Sequence, residues 1–194
     1  AVIGASATPG KIGYSVIKNL IKDGYKGKIY PINQKESEIL GLKCYPEIEQ
    51  VPGEIDSAIM CVPAKVMAEV TEECGRKGVK GALVITSGFS EIGRKDLEDE
   101  VVRIARHYGM RILGPNIVGT LSNSEKFNGS FAPCLPLPGK NSLITQSGAL
   151  LIAMDMATYS RRIGYEKMIS VGNMADVDFS DLIEWFQDDE ETSC

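Results

Sequence analysis

The chain opens with "AVIGASATPGKIG", in which a strand-like run, Ala1 to Ile3, passes into a loop holding Gly4, Ser6, Ala7, Thr8, Pro9, Gly10 and Gly13. These residue types suit a phosphate cradle. Glycine permits sharp turns and close backbone approach, hydroxyls donate hydrogen bonds, and a helix starting behind the loop offers free N–H groups and the positive end of its dipole. Gly4 fits the turn, Gly10 the approach, and Gly13 the packing of helix on strand. The dinucleotide fingerprint G-x-G-x-x-G is met only loosely, because the glycines fall at 4, 10 and 13 with Pro9 between them.

The end of the second strand narrows the ligand. An NAD site wants an acidic residue roughly 20 residues after the loop, to hold the ribose 2′-hydroxyl. Here the segment reads "PINQK", with Asn33 in place of the acid and Lys35 close behind. A cation suits a phosphorylated ribose, at 2′ in NADP or 3′ in coenzyme A, so the residues argue against NAD and leave those two open. A solvated loop lysine is the plain alternative for Lys35.

The other strand ends carry binding groups without reactive ones. "CVPAK" sets Val62, Pro63 and Ala64 as a rigid, mostly apolar ledge; "ITSGFSE" supplies Thr86, Ser87 and Gly88; "GPN" ends in Asn116. None is a general acid, a tyrosine–lysine pair or a hydride-transfer site. Further on, "TQSGAL" ends a strand and opens a helix, so the N–H groups of Ser147, Gly148 and Ala149 would face an anion, unless Ser147 is an ordinary helix cap. The single histidine, His107 in "IARHYGM", closes a helix at the sheet edge away from these groups and reads as a C-terminal cation. Cysteines at 44, 61, 74, 134 and 194 include no C-x-x-C pair; the first three read as small core hydrophobes, and Cys134 lies in a proline-rich arm. No metal site is expected. The acidic run "DDEE" reads as solvated surface, and Trp185, with Leu182, Ile183 and Phe186, as core or a docking face.

The elements that must position these groups follow from the apolar pattern. Short apolar runs, "AVIGAS", "KIYPIN", "SAIMCVP", "GALVITS" and "RILGPN", alternate with helices from about Ile12 to Asp23, Lys65 to Lys77 and Lys95 to Tyr108. Near-continuous apolar strands between helices indicate a parallel sheet covered on both faces, a Rossmann-like, doubly wound α/β domain over residues 1–121. Residues 122–140, with three prolines, two glycines and no sustained periodicity, read as a linker or crossover arm. Residues 141–194 then repeat the strand, turn and helix grammar, with a second strand at "KMISVGN" and a helix around Asp178 to Gln187, as the start of a second α/β domain. At 194 residues, with no initiator Met, the chain reads as trimmed at both ends.

Composition excludes several classes. Hydrophobic residues at 43% and charged residues at 24% match ordinary globular proteins. Twenty-one cations against 26 anions give a net charge of -5, interspersed, with no basic stripe for nucleic acid or an anionic membrane. No apolar run approaches the roughly 20 residues of a membrane helix, and the cysteine pattern fits a reducing cytoplasm.

Taken in order, "AVIGAS..PGKIG", "IYPIN.K", "VPAK", "GFSEIG", "YGMRILGPN", "FAP", "ITQSGAL" and "SVGN.ADVD" resemble the NDP-forming acyl-CoA synthetases, relatives of the succinyl-CoA synthetase alpha subunit, most of all the ADP-forming acetate–CoA ligase type. The resemblance implies a CoA-binding domain followed by the start of a flavodoxin-like ligase domain. It implies that Gly4, Ser6, Ala7, Thr8, Pro9 and Gly10 cradle the CoA pyrophosphate and pantetheine, and that Lys35 neutralises the 3′-phosphate. Val62, Pro63, Ala64, Thr86 and Ser87 would line the adenine and pantetheine track, Asn116 would stand near the thiol, and Ser147, Gly148 and Ala149 would hold a phosphate. The complete enzyme would use ATP or ADP, Mg2+ and a small carboxylic acid, with an ATP-grasp subunit or fused domain, as an oligomer; its phosphohistidine would lie outside this chain. Ile117 stands where succinate enzymes carry cysteine, and Ile152 where they carry tyrosine. A stand-alone CoA-binding regulatory module and an NADP oxidoreductase are the competing readings.

Overall fold

The computed structural model describes residues 1–193. Its first half runs β1 (Val2–Ile3), α1 (Ile12–Lys22), β2 (Pro31–Ile32), a small hairpin of β3 (Glu38–Ile39) and β4 (Leu42–Lys43), β5 (Ser57–Met60), α2 (Met67–Arg76), β6 (Gly81–Val84), α3 (Lys95–His107) and β7 (Arg111–Leu113). The five major strands form one parallel sheet in the order β2-β1-β5-β6-β7. Strand side chains alternate between faces, and each face has its own core. Val2 and Ile59 join Val16, Ile17 and Leu20 of α1, whereas Ile3, Ala58 and Met60 join Met67 and Cys74 of α2 and Val101 and Ala105 of α3. Helices on both faces explain why these strands read as unbroken apolar runs.

The second half is β8 (Gly119–Ser122), β9 (Phe127–Ser130), β10 (Asn141–Thr145), α4 (Gly148–Arg161), β11 (Tyr165–Ser170) and α5 (Phe179–Gln187). Its sheet runs β10-β11-β8-β9, with β10 and β11 parallel, β8 antiparallel to β11 and β9 antiparallel to β8. Residues 122–140 thus differ from a plain arm: Ser122 ends one strand and Phe127–Ser130 forms another. That strand was hidden because its sequence, FNGS, buries polar groups that find partners inside. Asn128 donates to the Asp23 carboxylate at 2.8 Å, and the Ser130 hydroxyl donates to the Asn128 oxygen at 2.6 Å.

Several contacts fasten the halves together, two of them at backbone carbonyls. Buried Asn19 of α1 donates from Nδ2 to the carbonyls of Ser130 and Ala132, at 2.9 and 2.7 Å. Beyond β11, the chain runs along the outer edge of β7, with the N–H groups of Asn173, Ala175 and Val177 donating to the carbonyls of Pro115, Gly114 and Ile112 at 2.9, 3.0 and 3.0 Å. Asp176 completes this seam by accepting from the Ile112 N–H at 2.8 Å and pairing with Arg106 and Arg111. Burial works against its charge, but the Ile112 N–H and the two guanidiniums hold it below the usual carboxylate range. An edge strand that would otherwise offer open backbone groups is covered. Among the described residues no helix is long and apolar enough to cross a membrane.

Replacing Asn19 with Ala leaves two inward carbonyls without their donor. We expect Asn19→Ala to lower stability by about 2–4 kcal/mol, seen as a lower denaturant midpoint at unchanged slope. A loss below about 0.5 kcal/mol would show that water replaces the amide and that this fastening is dispensable.

Candidate functional site

The phosphate-type loop is built by backbone crowding. Gly4 has φ +79°, and a Cβ there would lie 2.9 Å from the carbonyl carbon and oxygen of Cys61. At Gly13 a Cβ would collide with the Gly4 carbonyl oxygen, so the first turn of α1 rests on the loop. The Ser6 oxygen accepts from the Thr8 N–H at 3.0 Å, while Ala7, Thr8, Pro9 and Gly10 stand exposed. Asn33, in the position where an NAD site has its acid, is a tie instead. Its Nδ2 donates to the Ala5 carbonyl at 2.7 Å, and its Oδ1 accepts from the N–H groups of Lys35 and Glu36 at 2.8 and 3.2 Å. The exposed Lys35 is thereby held to the same strand-end surface as the loop.

Beside this loop lies a cleft of about 730 Å3 between the two halves. It brings together Val62, Pro63, Thr86, Ser87 and Asn116 from the first sheet with Ser147, Gly148 and Ala149 at the start of α4. The strand ends brace one another: the Thr86 hydroxyl donates to the Val62 carbonyl at 2.6 Å, and the Asn116 N–H donates to the Thr86 carbonyl at 2.9 Å. Gly4, Ser6, Ala7, Thr8, Pro9, Gly10, Lys35 and Ala64 do not line this cleft. Gly4 to Gly10 follow β1, Lys35 follows β2 and Ala64 follows β5, so all sit at strand ends of the same sheet.

At the start of α4 Ser147 is a helix cap, the plain reading of "TQSGAL". Its oxygen caps the helix by accepting from the Leu150 N–H at 3.2 Å, and its own N–H donates to the Thr145 hydroxyl at 3.2 Å. The N–H groups that lie free at a helix start are then those of Gly148 and Ala149. Residue-type reasoning did not single out Gln146, Ile12 or Phe131 as lining residues, although "TQSGAL" and "FAP" contain the first and last. A helix residue such as Ile12, 42% exposed, gives no sequence sign that it faces a ligand.

The remaining candidates sort by environment. His107 ends α3 and stacks edge-on against Tyr108, at the amino end of β7, whereas the cleft opens beyond the carboxyl ends of the strands. Burial pushes the thiols of Cys61 and Cys74 up to about 12 and also raises those of Cys44 and Cys134, so none is a ready nucleophile. Cys194 lies outside the described residues. The "DDEE" run is not wholly solvated: Asp189 pairs with Lys167 at 2.8 Å and with Thr192, its side chain only 9% exposed. Trp185 is 53% exposed, so α5 presents a face rather than filling a core.

Residues 1–122 match the family described as CoA binding domain, and residues 138–194 that described as succinyl-CoA ligase like flavodoxin domain. Across 99% of its length the chain is 53% identical to acetate–CoA ligase [ADP-forming] I subunit alpha of Pyrococcus furiosus, covering 43% of that protein. It is 50% identical, again over 99% of its length, to acetate–CoA ligase [ADP-forming] of Methanocaldococcus jannaschii, covering 27%. Acetyl-coenzyme A synthetase 1 of Ca. Korarchaeum cryptofilum, solved with phosphate and ADP, superposes with a TM-score of 0.97 at 46% identity over 99% of this chain and 42% of that one. The chain therefore spans less than half the length of these relatives.

One buried acid on α4 sets a pH dependence. Asp155 is fully buried, its Oδ1 has no partner, and its Oδ2 accepts from the Cys134 thiol at 3.7 Å. Desolvation raises its pKa to about 6; the thiol and Lys22 oppose the rise, and Asp23 adds to it. A folded pKa above the unfolded value, about 3.9, means that the native state holds the proton more tightly, so stability is full below that value and falls as pH rises through about 6. We expect the wild type to lose on the order of 2–3 kcal/mol between pH 4 and 7 relative to Asp155→Asn. Parallel stability curves for the two proteins would refute this.

Proposed function

This chain belongs to the CoA-binding domain family, and we propose that it is the CoA-binding portion of an ADP-forming acyl-CoA synthetase, with the start of its flavodoxin-like ligase domain. The complete enzyme would convert a small carboxylic acid, CoA and ATP into acyl-CoA, ADP and phosphate, through an acyl phosphate and a phosphohistidine carried outside this chain. The observation that carries the reading is the single cleft in which the strand ends of the CoA-type sheet meet the start of α4.

In this reading the exposed loop from Ser6 to Gly10 takes the pyrophosphate, as a glycine-rich turn before a helix does. Lys35 pairs with the 3′-phosphate. Val62, Pro63 and Ala64, with Thr86 and Ser87, flank the nucleotide and pantetheine, leading the thiol end toward Asn116. Across the cleft, Ser147, Gly148 and Ala149 receive a phosphoryl group: the serine shapes the turn, while the N–H groups of Gly148 and Ala149 and the helix dipole supply the attraction. Thiol and phosphoryl sites thus share one cavity, as acyl transfer from phosphate to sulfur requires.

Among the described residues no three His, Cys, Asp or Glu side chains gather closely enough to hold a metal. We assign Mg2+-ATP to an ATP-grasp subunit or fused domain, within a cytoplasmic oligomer. A free-standing regulatory module would have no use for the α4 end of the cleft, and an NADP oxidoreductase would need a hydride-transfer site that the lining lacks.

Titration calorimetry tests the coenzyme assignment. CoA should bind, dephospho-CoA should bind about tenfold or more weakly, and Lys35→Met should erase that difference, as expected for loss of a charged contact. Equal affinities in the wild type would remove Lys35 from its role. With acid, CoA, ATP and Mg2+, the chain alone should form no acyl-CoA, and His107→Ala should leave CoA affinity unchanged. An acid-labile phosphate on His107 would overturn the division of labour.

A further inference from the structure

Behind the cleft, one amide is fully committed. Asn173 follows β11, and its Nδ2 donates to Glu91 at 2.7 Å and to Glu98 at 2.9 Å. An amide nitrogen has two hydrogens, and both are spent on carboxylates, which when ionised can only accept. The amide therefore cannot be turned over without setting its oxygen against two anions. Both acids are themselves fixed. Glu98 is 2% exposed and accepts from the Ser90 hydroxyl at 2.7 Å and from Lys95 at 3.3 Å. Glu91 accepts from the N–H groups of Gly88 and Phe89; burial opposes its charge, but these bonds and the Asn173 amide keep it below the ordinary carboxylate range.

With its nitrogen so placed, the Asn173 oxygen points at Asn116 and accepts from its Nδ2 at 3.3 Å. The backbone enforces the approach: the Asn173 N–H donates to the Pro115 carbonyl at 2.9 Å, and a Cβ on Gly172 would strike the carbonyls of Pro115 and Asn116. Asn116 lines the cleft from a left-handed backbone position, φ +63°, which asparagine tolerates.

We infer that Asn173 is a positioning residue: by holding both its amide hydrogens on Glu91 and Glu98, it turns Asn116 so that the Asn116 carbonyl oxygen, an acceptor, faces the cleft. The ligand group that meets this oxygen must be a donor. Resting here on the proposed function, that donor is the S–H of coenzyme A. A neutral carbonyl oxygen accepts from a thiol and repels a thiolate, so CoA is held at this point as the protonated thiol.

Two measurements test this. Neutron diffraction from deuterated crystals places amide deuterons directly: both Asn173 deuterons should point at Glu91 and Glu98, and those of Asn116 should lie on the Asn173 side. An Asn116 nitrogen facing the cleft overturns the inference whatever the ligand. Calorimetry then compares CoA with desulfo-CoA, which lacks the thiol. Wild type should prefer CoA by roughly three- to tenfold. Asn173→Ala should abolish that preference while keeping desulfo-CoA within about twofold of wild type. A preference that survives in the variant, or both ligands weakening in parallel as for a merely structural residue, overturns the inference. If wild type binds neither ligand, the coenzyme reading fails, and the neutron result alone decides the orientation. Should Asn173→Ala not fold, Asn116→Ala must remove the same preference, and its persistence there overturns the inference.

Discussion

The cleft depends on one seam of backbone hydrogen bonds. The two sheets share no strand, and what holds the end of β11 beside the end of β7 is the ladder from Asn173, Ala175 and Val177 to Pro115, Gly114 and Ile112. The ladder can form only because Gly172 lets the chain pass against the Pro115 and Asn116 carbonyls, where a Cβ would not fit. It satisfies the open edge of the parallel sheet, and it sets the start of α4 opposite the strand ends. Asp176, whose buried carboxylate accepts from Arg106, Arg111 and the Ile112 N–H, locks the register of the seam. Asn19 does the same for the hairpin on the far side of α1.

Much of the fold was legible because burial on two faces leaves a plain signature. Runs such as SAIM and GALV admit no polar face, and only a sheet covered by helices on both sides needs that. What escaped were elements whose polar residues are buried and paired. β9 reads as a loop from its sequence, yet Asn128 and Ser130 are fully buried because Asp23, Asn19 and each other meet their hydrogen bonds. Asp189 escaped likewise, since an acidic run looks solvated until a lysine 22 residues upstream, Lys167, is folded against it.

The same limit shaped the reading of the site. Glycines at 4 and 13 announce backbone crowding, because no other residue fits there, and the strand-end hydroxyls and amide of Thr86, Ser87 and Asn116 line the cleft. Asn33 could be read as the absence of an acid, but not as the tie that joins Ala5 to Lys35 and Glu36, since that role depends on one partner, Ala5, 28 residues away. Asn173 was visible only as one letter in "SVGN", because its importance lies in two acids reached 82 and 75 residues back along the chain.

The cleft's electrostatics follow from what lines it. Apart from Cys61, whose thiol burial pushes up to about 12, no lining residue carries an ionisable side chain; the polar groups are hydroxyls, amides and backbone N–H. Such a surface keeps its charge across the physiological range. Attraction for an anion then comes from the α4 terminus, an effect of about 0.3–1 kcal/mol where solvent reaches it and up to about 2 kcal/mol in partly buried geometry. A fixed lysine or arginine there would hold a phosphate far more tightly. A dipole without a counter-charge holds an anion loosely, which on the proposed function suits a phosphoryl group that enters and leaves. Charge is instead concentrated where movement is undesirable, in the Asp176 seam and in the Glu91 and Glu98 pair that anchors Asn173.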